Sequence, residues 1–255
     1  MIKITKGVDI TRAKVYMNVP YAQKDEAKAL GAKWDKDVKK WYYEGSVKDF
    51  TKFGKWILGE NEDAVIAYET LYIIEADRVC YRCGKETKII GFGIGECSVL
   101  SEDGDEYFIE DPDDFPDFED EIHLAWTDDE SRIPPLLLRY IKKHYSVKTG
   151  YSSIAGKCFA NHCDHCGSIQ GNNYLFVEDS PLSTSTPVES ELIERMGKLR
   201  IYNVYTDAAL VLNWDIAMCS NDWAYAVYCK NFQDIVLSAN EDDMWTSYSE
   251  MYDLN

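Results

Sequence analysis

Apolar positions near the start of the chain change period twice within a few dozen residues. In "VYMNVPY", Val15, Met17 and Val19 alternate with Tyr16 and Asn18, a half-buried strand that Pro20 ends. In "QKDEAKALGAKW" the period becomes helical. Ala27, Leu30 and Trp34 share one face, Asp25 and Glu26 fall in the first turn, and Gly31 suits a C-terminal cap. A polar turn, "DKDVKK", leads to "WYYE", a second strand with Trp41 and Tyr43 on one face and Tyr42 on the other. Phe50, Phe53 and Ile57 then repeat at helical intervals, behind a Ser46–Asp49 pair with capping-box spacing. This predicts a β-α-β-α unit over residues 1–60 whose apolar side chains, including Trp34, Trp41, Tyr43, Phe50 and Phe53, close one small core.

Further along, "LYIIEA", "TKIIGF" and "NNYLFV" read as strands. "LLLRYIKKHY" reads as a helix started by Pro134 and Pro135. "GFGIG" opens no helix and lacks a following Lys-Ser/Thr, so it predicts a glycine-containing strand rather than a phosphate loop. "DSPLSTSTPVES", residues 179–190, has the composition of a linker. Beyond it "ESELIERMGKL" predicts a helix, and "RIYNVY", "AALVLNW" and "WAYAVYC" predict strands.

Two stretches carry metal chemistry. "CYRCG" and "CDHCG" place Cys80, Cys83, Cys163 and Cys166 in matched Cys-x-x-Cys-Gly units. Each pair supplies half of a tetrahedral thiolate site, and zinc is the ion such a set predicts. Gly84 and Gly167 suit the tight turn after the second sulfur, which favours a left-handed residue. Four protein thiolates leave no open coordination position, so the predicted site is structural. His162, His165 and Cys158 lie close enough in sequence to replace a ligand, although His165, inside its knuckle, is expected to point outward. The alternative chemistry is redox, which favours one such motif opening a helix, not two before strands. Residues 84–162, 79 in all, separate the halves, far beyond ordinary ribbon spacing.

Charge divides the chain. The net charge is −18, yet residues 1–60 hold 13 Lys and Arg against 8 Asp and Glu, a balance of +5. Lys33, Lys36, Lys39 and Lys40 crowd one turn, and Lys52 and Lys55 fall on the polar side of the second helix. Such lysines can meet phosphates, and an exposed Tyr42 can stack on a base. From Ile89 to Ser131 there are sixteen Asp and Glu and no Lys or Arg, interleaved with Tyr107, Phe108, Phe115 and Phe118. Residues 89–131 therefore read as a long acidic insertion: a solvated loop, a surface for a basic protein or for the chain's own basic head, or a cation site without the full calcium-loop pattern. Cys219 and Cys229 read as buried thiols.

The segment "VPYAQKDEAKALGAKWDKDVKKWYY" resembles the small domain attached to TraC-like primases and other proteins of conjugative elements. Its Val-Pro-Tyr entry, Glu-Ala-Lys-Ala-Leu-Gly-Ala helix and Lys-Trp-Asp…Lys-Trp-Tyr exit carry the resemblance. A looser similarity exists to the Trp-Asp…Trp unit of DNA-annealing helicases. These resemblances imply an association with nucleic acid. Residues 80–171 resemble a zinc-ribbon-like segment of uncharacterised bacterial proteins, which implies no activity.

The expected fold class is α+β. It comprises a basic β-α-β-α domain (1–60), zinc-ribbon-like hairpins with an acidic insertion (61–178), and a mixed, acidic C-terminal region (191–255). No run of eighteen apolar residues predicts a membrane span, the N-terminus lacks a secretory apolar stretch, and a cytoplasmic location is expected. No His-Glu-x-x-His, Gly-x-Ser-x-Gly or Walker loop is present, which favours a binding protein over an enzyme, with carboxylate-based catalysis left open. Two functions compete: a zinc-stabilised nucleic-acid-binding protein of a bacterial mobile element or phage, and an acidic interaction or inhibitor protein that mimics DNA charge.

Overall fold

The first described element is strand β1 (Arg12–Met17). Helix α1 (Lys24–Ala29), β2 (Lys33–Asp35) and β3 (Lys40–Ser46) follow, then a 3-10 segment, Val47–Phe53, that runs into α2 (Gly54–Ile57). The computed structural model describes residues 12–68, 71–95, 97–104, 106–110, 121–153, 155–186, 188–212 and 216–237. In the first sheet β3 lies between β1 and β2, with Met17 and Trp34 both opposite Trp41. Strand β2 replaces the helical continuation expected through Trp34. Gly31, at φ +101°, ends the helix after six residues and turns the chain. Trp34 then lies on an edge strand and stays 46% exposed, and Leu30 is exposed as well, so neither joins the core predicted for them. The capping box does not form. Ser46 makes no side-chain cap, and Asp49 instead accepts from Tyr43 Oη at 2.7 Å.

The next strands are β4 (Asp63–Ala67), β5 (Leu71–Val79), β6 (Glu86–Ile94), β7 (Cys97–Asp103), β8 (Glu106–Glu110) and β9 (His123–Ala125). They are followed by α3 (Pro135–His144), β10 (Val147–Ser152), β11 (Gly156–Asn161) and α4 (Glu189–Met196). Last come β12 (Arg200–Tyr205), β13 (Leu210–Leu212), β14 (Ile216–Ala217), α5 (Ala224–Tyr228) and β15 (Phe232–Val236). A six-stranded sheet runs β14-β9-β6-β5-β12-β15, a four-stranded one β13-β4-β7-β8, and β10 and β11 form a hairpin. Strands β12 and β15 are parallel; the other pairs are antiparallel.

The four-stranded sheet is a wall with a core on each side. Val65, Ala67, Val99, Leu210 and Leu212 face the main core, with Ile73, Phe92, Trp126 and Phe159. Their neighbours Ala64, Ile66, Leu100, Ala209 and Val211 face the other way, onto Val15, Phe50, Phe53 and Trp56. Side chains alternate along a strand, so continuous apolar runs such as Ala64–Ala67 serve two cores at once. The core predicted to close within residues 1–60 is therefore shared with β4, β7 and β13. Polar contacts reinforce the junction: the Ala209 N–H donates to Lys14 O at 2.8 Å, and Arg132 Nη2 donates to Leu58 O at 2.8 Å.

Three expectations change. The acidic insertion is partly regular structure: residues 89–94 complete β6 inside the main core, and β7 and β8 pair as a hairpin. Its most acidic part, with Asp111, Asp113, Asp114, Phe115 and Phe118, lies outside the described residues, as does the acidic tail beyond Leu237. The linker-like Ser/Thr stretch is buried at Ser180, Leu182, Ser183, Thr184 and Thr186. Its polar groups are matched there; Arg195 Nη1 donates to Ser183 O at 2.8 Å, and Asn221 Nδ2 to Thr186 O at 3.1 Å. "NNYLFV" begins as a 3-10 turn, Asn172–Leu175, and "WAYAVYC" contains α5, entered through the Asn221–Asp222 turn. Among the described residues, no helix is long and apolar enough to cross a membrane.

Candidate metal centre and nucleic-acid interface

The first knuckle is the tip of the β5–β6 hairpin, whose last pair is Val79–Glu86. The Cys80 N–H donates to Lys85 O at 2.8 Å, and the Gly84 N–H donates to Cys80 O at 2.9 Å. The second knuckle repeats this ring. The Cys163 N–H donates to Ser168 O at 2.8 Å, and the Gly167 N–H to Cys163 O at 2.9 Å. Gly84 and Gly167 sit at φ +70° and +68°, the left-handed turn anticipated from sequence.

The two knuckles meet. Cys80 Sγ lies 3.7 Å from Cys166 Sγ, and Cys83 Sγ lies 3.7 Å from Cys163 Sγ. All four sulfurs fall within 4.8 Å of one another, as a metal-binding set requires, and none is in a disulfide. Hydrogen bonds prepare the thiols. The Ser168 hydroxyl lies 3.4 Å from Cys80 Sγ and 3.0 Å from Cys166 Sγ, and it draws both thiol pKa values down, that of Cys80 to about 5. At Cys83 the Lys85 backbone N–H favours the thiolate. Desolvation and the other three sulfurs outweigh it and raise the pKa to about 11. Four crowded sulfurs resist common ionisation unless a cation neutralises them.

Side chains bring the long excursion back. Asn161, at the end of β11, accepts from the Ile90 N–H at 2.9 Å and donates to Ile90 O at 2.8 Å, so its amide pairs with β6 as a neighbouring strand would. Inside the second knuckle, Asp164 Oδ2 accepts from Thr87 Oγ1 at 3.0 Å and from the Lys88 N–H at 3.2 Å, while the Asp164 N–H donates to Thr87 Oγ1 at 2.9 Å. His165 Nε2 lies 2.9 Å from Glu86 O. His165 thus ties the knuckles together, and among the described residues the sulfur cluster does not include it. His162 Nδ1 rests 2.9 Å from Ala160 O, and among the described residues the sulfur cluster includes neither His162 nor Cys158.

A further group escaped the sequence reading. Glu121, His123 and Asp222 present ligand atoms within 4.8 Å of one another, and His123 Nδ1 lies 2.7 Å from Asp222 Oδ2. Asp222 also accepts from Thr184 Oγ1 at 2.5 Å and from the Cys219 N–H at 2.9 Å. Its carboxylate is fully engaged in holding the buried Ser/Thr segment against β9. No local spacing announces a contact across 99 residues.

On the basic side, Lys33, Lys36 and Lys39 are exposed, with Lys39 at φ 55° in its turn. Lys40 is half-buried and donates from Nζ to Ser131 O; desolvation lowers its pKa against the opposing pull of Asp129 and Glu130. Lys52 pairs with Asp49 at 2.6 Å and Lys55 with Glu26 at 2.5 Å. Tyr42 is only part-exposed: it packs on Tyr16 at 5.9 Å, with Lys14 Nζ 4.8 Å from its ring. The most exposed aromatic of this unit is Tyr21, at 82%, and Trp34 is half-open.

Residues 14–57 match the family described as a domain of unknown function, DUF5710. A 50-residue stretch is 48% identical to a DNA primase TraC of Escherichia coli, and a 43-residue stretch is 49% identical to another DNA primase TraC of that organism. These matches cover 20% and 17% of this chain but only 3% and 4% of the primases. No solved structure matches the chain. The N-terminal unit is thus similar to a small domain of TraC primases, as its motifs implied, and the remainder of the chain stands outside that similarity.

Proposed function

We propose that the chain is a zinc-stabilised, non-catalytic binding protein of a bacterial mobile element or phage, with nucleic-acid contact through residues 1–60. The observation that carries this reading is the 48% identity of its basic N-terminal segment to a DNA primase TraC. Lys33, Lys36 and Lys39 make no ion pair among the described residues, so they remain available to phosphates.

Zinc is the ion that suits the sulfurs. Tetrahedral Zn–S bonds of about 2.3 Å place sulfurs about 3.8 Å apart, against a disulfide bond of about 2.05 Å. The 3.7 Å separations fit the first. Cys80, Cys83, Cys163 and Cys166 would hold the ion with its coordination filled, which serves architecture and leaves no position for a reacting water. Metal analysis of the purified full chain, together with gel retardation of single-stranded DNA over a salt series, tests both halves. One zinc per chain and binding that falls steeply with salt are expected. A metal-free, fully folded protein refutes the first half, and no retardation at low salt refutes the second.

A further inference from the structure

The N-terminal unit carries a cleft of about 370 Å³ between β2, β3 and the Val19–Pro20 corner. Its walls include Trp34, Trp41, Val19, Pro20, Lys39 and Lys40. Trp41 is buried and packs edge-on against Trp34 at 5.5 Å, so the half-exposed ring of Trp34 is held on a fixed support. Lys40 also borders a second hollow, on the side of α3, with Arg139 and Lys142. The Nζ bond to Ser131 O fixes Lys40 as the partition between the two hollows.

We propose that this cleft is a base-stacking site for single-stranded nucleic acid: one base lies on Trp34, and the sugar-phosphate chain runs from Lys39 across the partition toward Arg139 and Lys142. The inference deepens the nucleic-acid reading above and rests on it. Flat apolar rings beside cations match the two faces of a nucleotide, its aromatic base and its anionic phosphate. A duplex keeps its bases stacked inward, so the site selects single strands. The site also moves the aromatic contact from Tyr42, which is part-exposed and packs against Tyr16 and Lys14, to the more exposed Trp34. Arg139 and Lys142 belong to α3, outside residues 14–57, so this chain's path is longer than that of the matched segment alone.

The test uses the full-length, metal-loaded chain and fluorescence anisotropy with labelled oligothymidylate, oligouridylate and a duplex of about 15 units each. The wild type is expected to prefer either single strand to the duplex, and comparison of the two single strands separates DNA from RNA. Trp34→Ala should weaken single-strand binding by about tenfold and Trp34→Phe by less, because stacking needs a ring and not an indole N–H. Lys39→Glu and Lys142→Glu should each weaken it and flatten the salt dependence. Circular dichroism and zinc content check that each variant is folded. Salt-dependent wild-type binding that Trp34→Ala leaves unchanged overturns the stacking site while the nucleic-acid reading survives. No wild-type binding to any probe overturns both. Equal affinity for duplex and single strand, or capture only of a protein partner, overturns the proposal as well.

Discussion

The two knuckles share one backbone and play unlike parts. Both close the same hydrogen-bonded ring, and both place glycine in the left-handed region. Their intervening residues diverge. Tyr81 and Arg82 in the first are exposed, whereas Asp164 and His165 in the second reach across to Thr87, Lys88 and Glu86. The first stands on a nine-residue strand pair, while the second ends a shorter hairpin and needs side chains to reach its mate. Loop conformation is encoded by the Cys-x-x-Cys-Gly frame itself. Docking is encoded by the variable positions inside it.

The largest effect should erase the difference between the halves. Cys80→Ser and Cys163→Ser should each abolish stoichiometric metal and destabilise by more than about 4 kcal/mol, seen in chemical denaturation with metal analysis. A marked inequality would mean that one half folds without the other.

Next in size is the anchor beneath the first knuckle. Glu75 on β5 is buried and meets Arg200 Nε at 2.5 Å, Lys88 Nζ at 3.0 Å and Tyr145 Oη at 2.8 Å. Desolvation opposes its ionisation, but those three partners win and hold its pKa below the usual carboxylate value. Its contribution is therefore full above pH of about 4.3 and is lost as pH falls through the lowered folded value. Glu75→Gln should cost roughly 1–3 kcal/mol at neutral pH. Its deficit relative to wild type should shrink below about pH 4, as denaturation midpoints across pH will show.

Smaller still, Asp164→Ala should cost roughly 1–2 kcal/mol and speed amide exchange at Lys88, while Tyr81→Ala at the matching position should change stability by less than about 0.5 kcal/mol. The smallest paired effect is Gly84→Ala and Gly167→Ala. Each adds a left-handed residue at about 1 kcal/mol, with no side chain in the way, and the two costs should agree in thermal melts.

The knuckles were legible because their chemistry is local: four sulfurs and two glycines at fixed spacing. Strands β5, β6 and β12 and helices α3 and α4 were legible for the same reason, as each carries its own period. What sequence concealed was relational. Residues Ala64–Ala67 look like any buried strand, and nothing in them says that alternate side chains enter different cores. The Ser/Thr stretch had linker composition because hydroxyls satisfy backbone locally, a property equally useful in a buried crossing. Trp34 was assigned to a helix face by its spacing from Ala27 and Leu30, but Gly31, at φ +101°, ends the helix before it and sets it on an edge strand.

The shared wall has a consequence for the N-terminal segment taken by itself. The family match covers residues 14–57, and here Phe50, Phe53 and Trp56 rest on Ala64, Ile66, Leu100, Ala209 and Val211, all beyond the matched segment. In this chain the segment is a lid without its base, and a fragment cut at residue 57 should clump in solution rather than behave as a free-standing module.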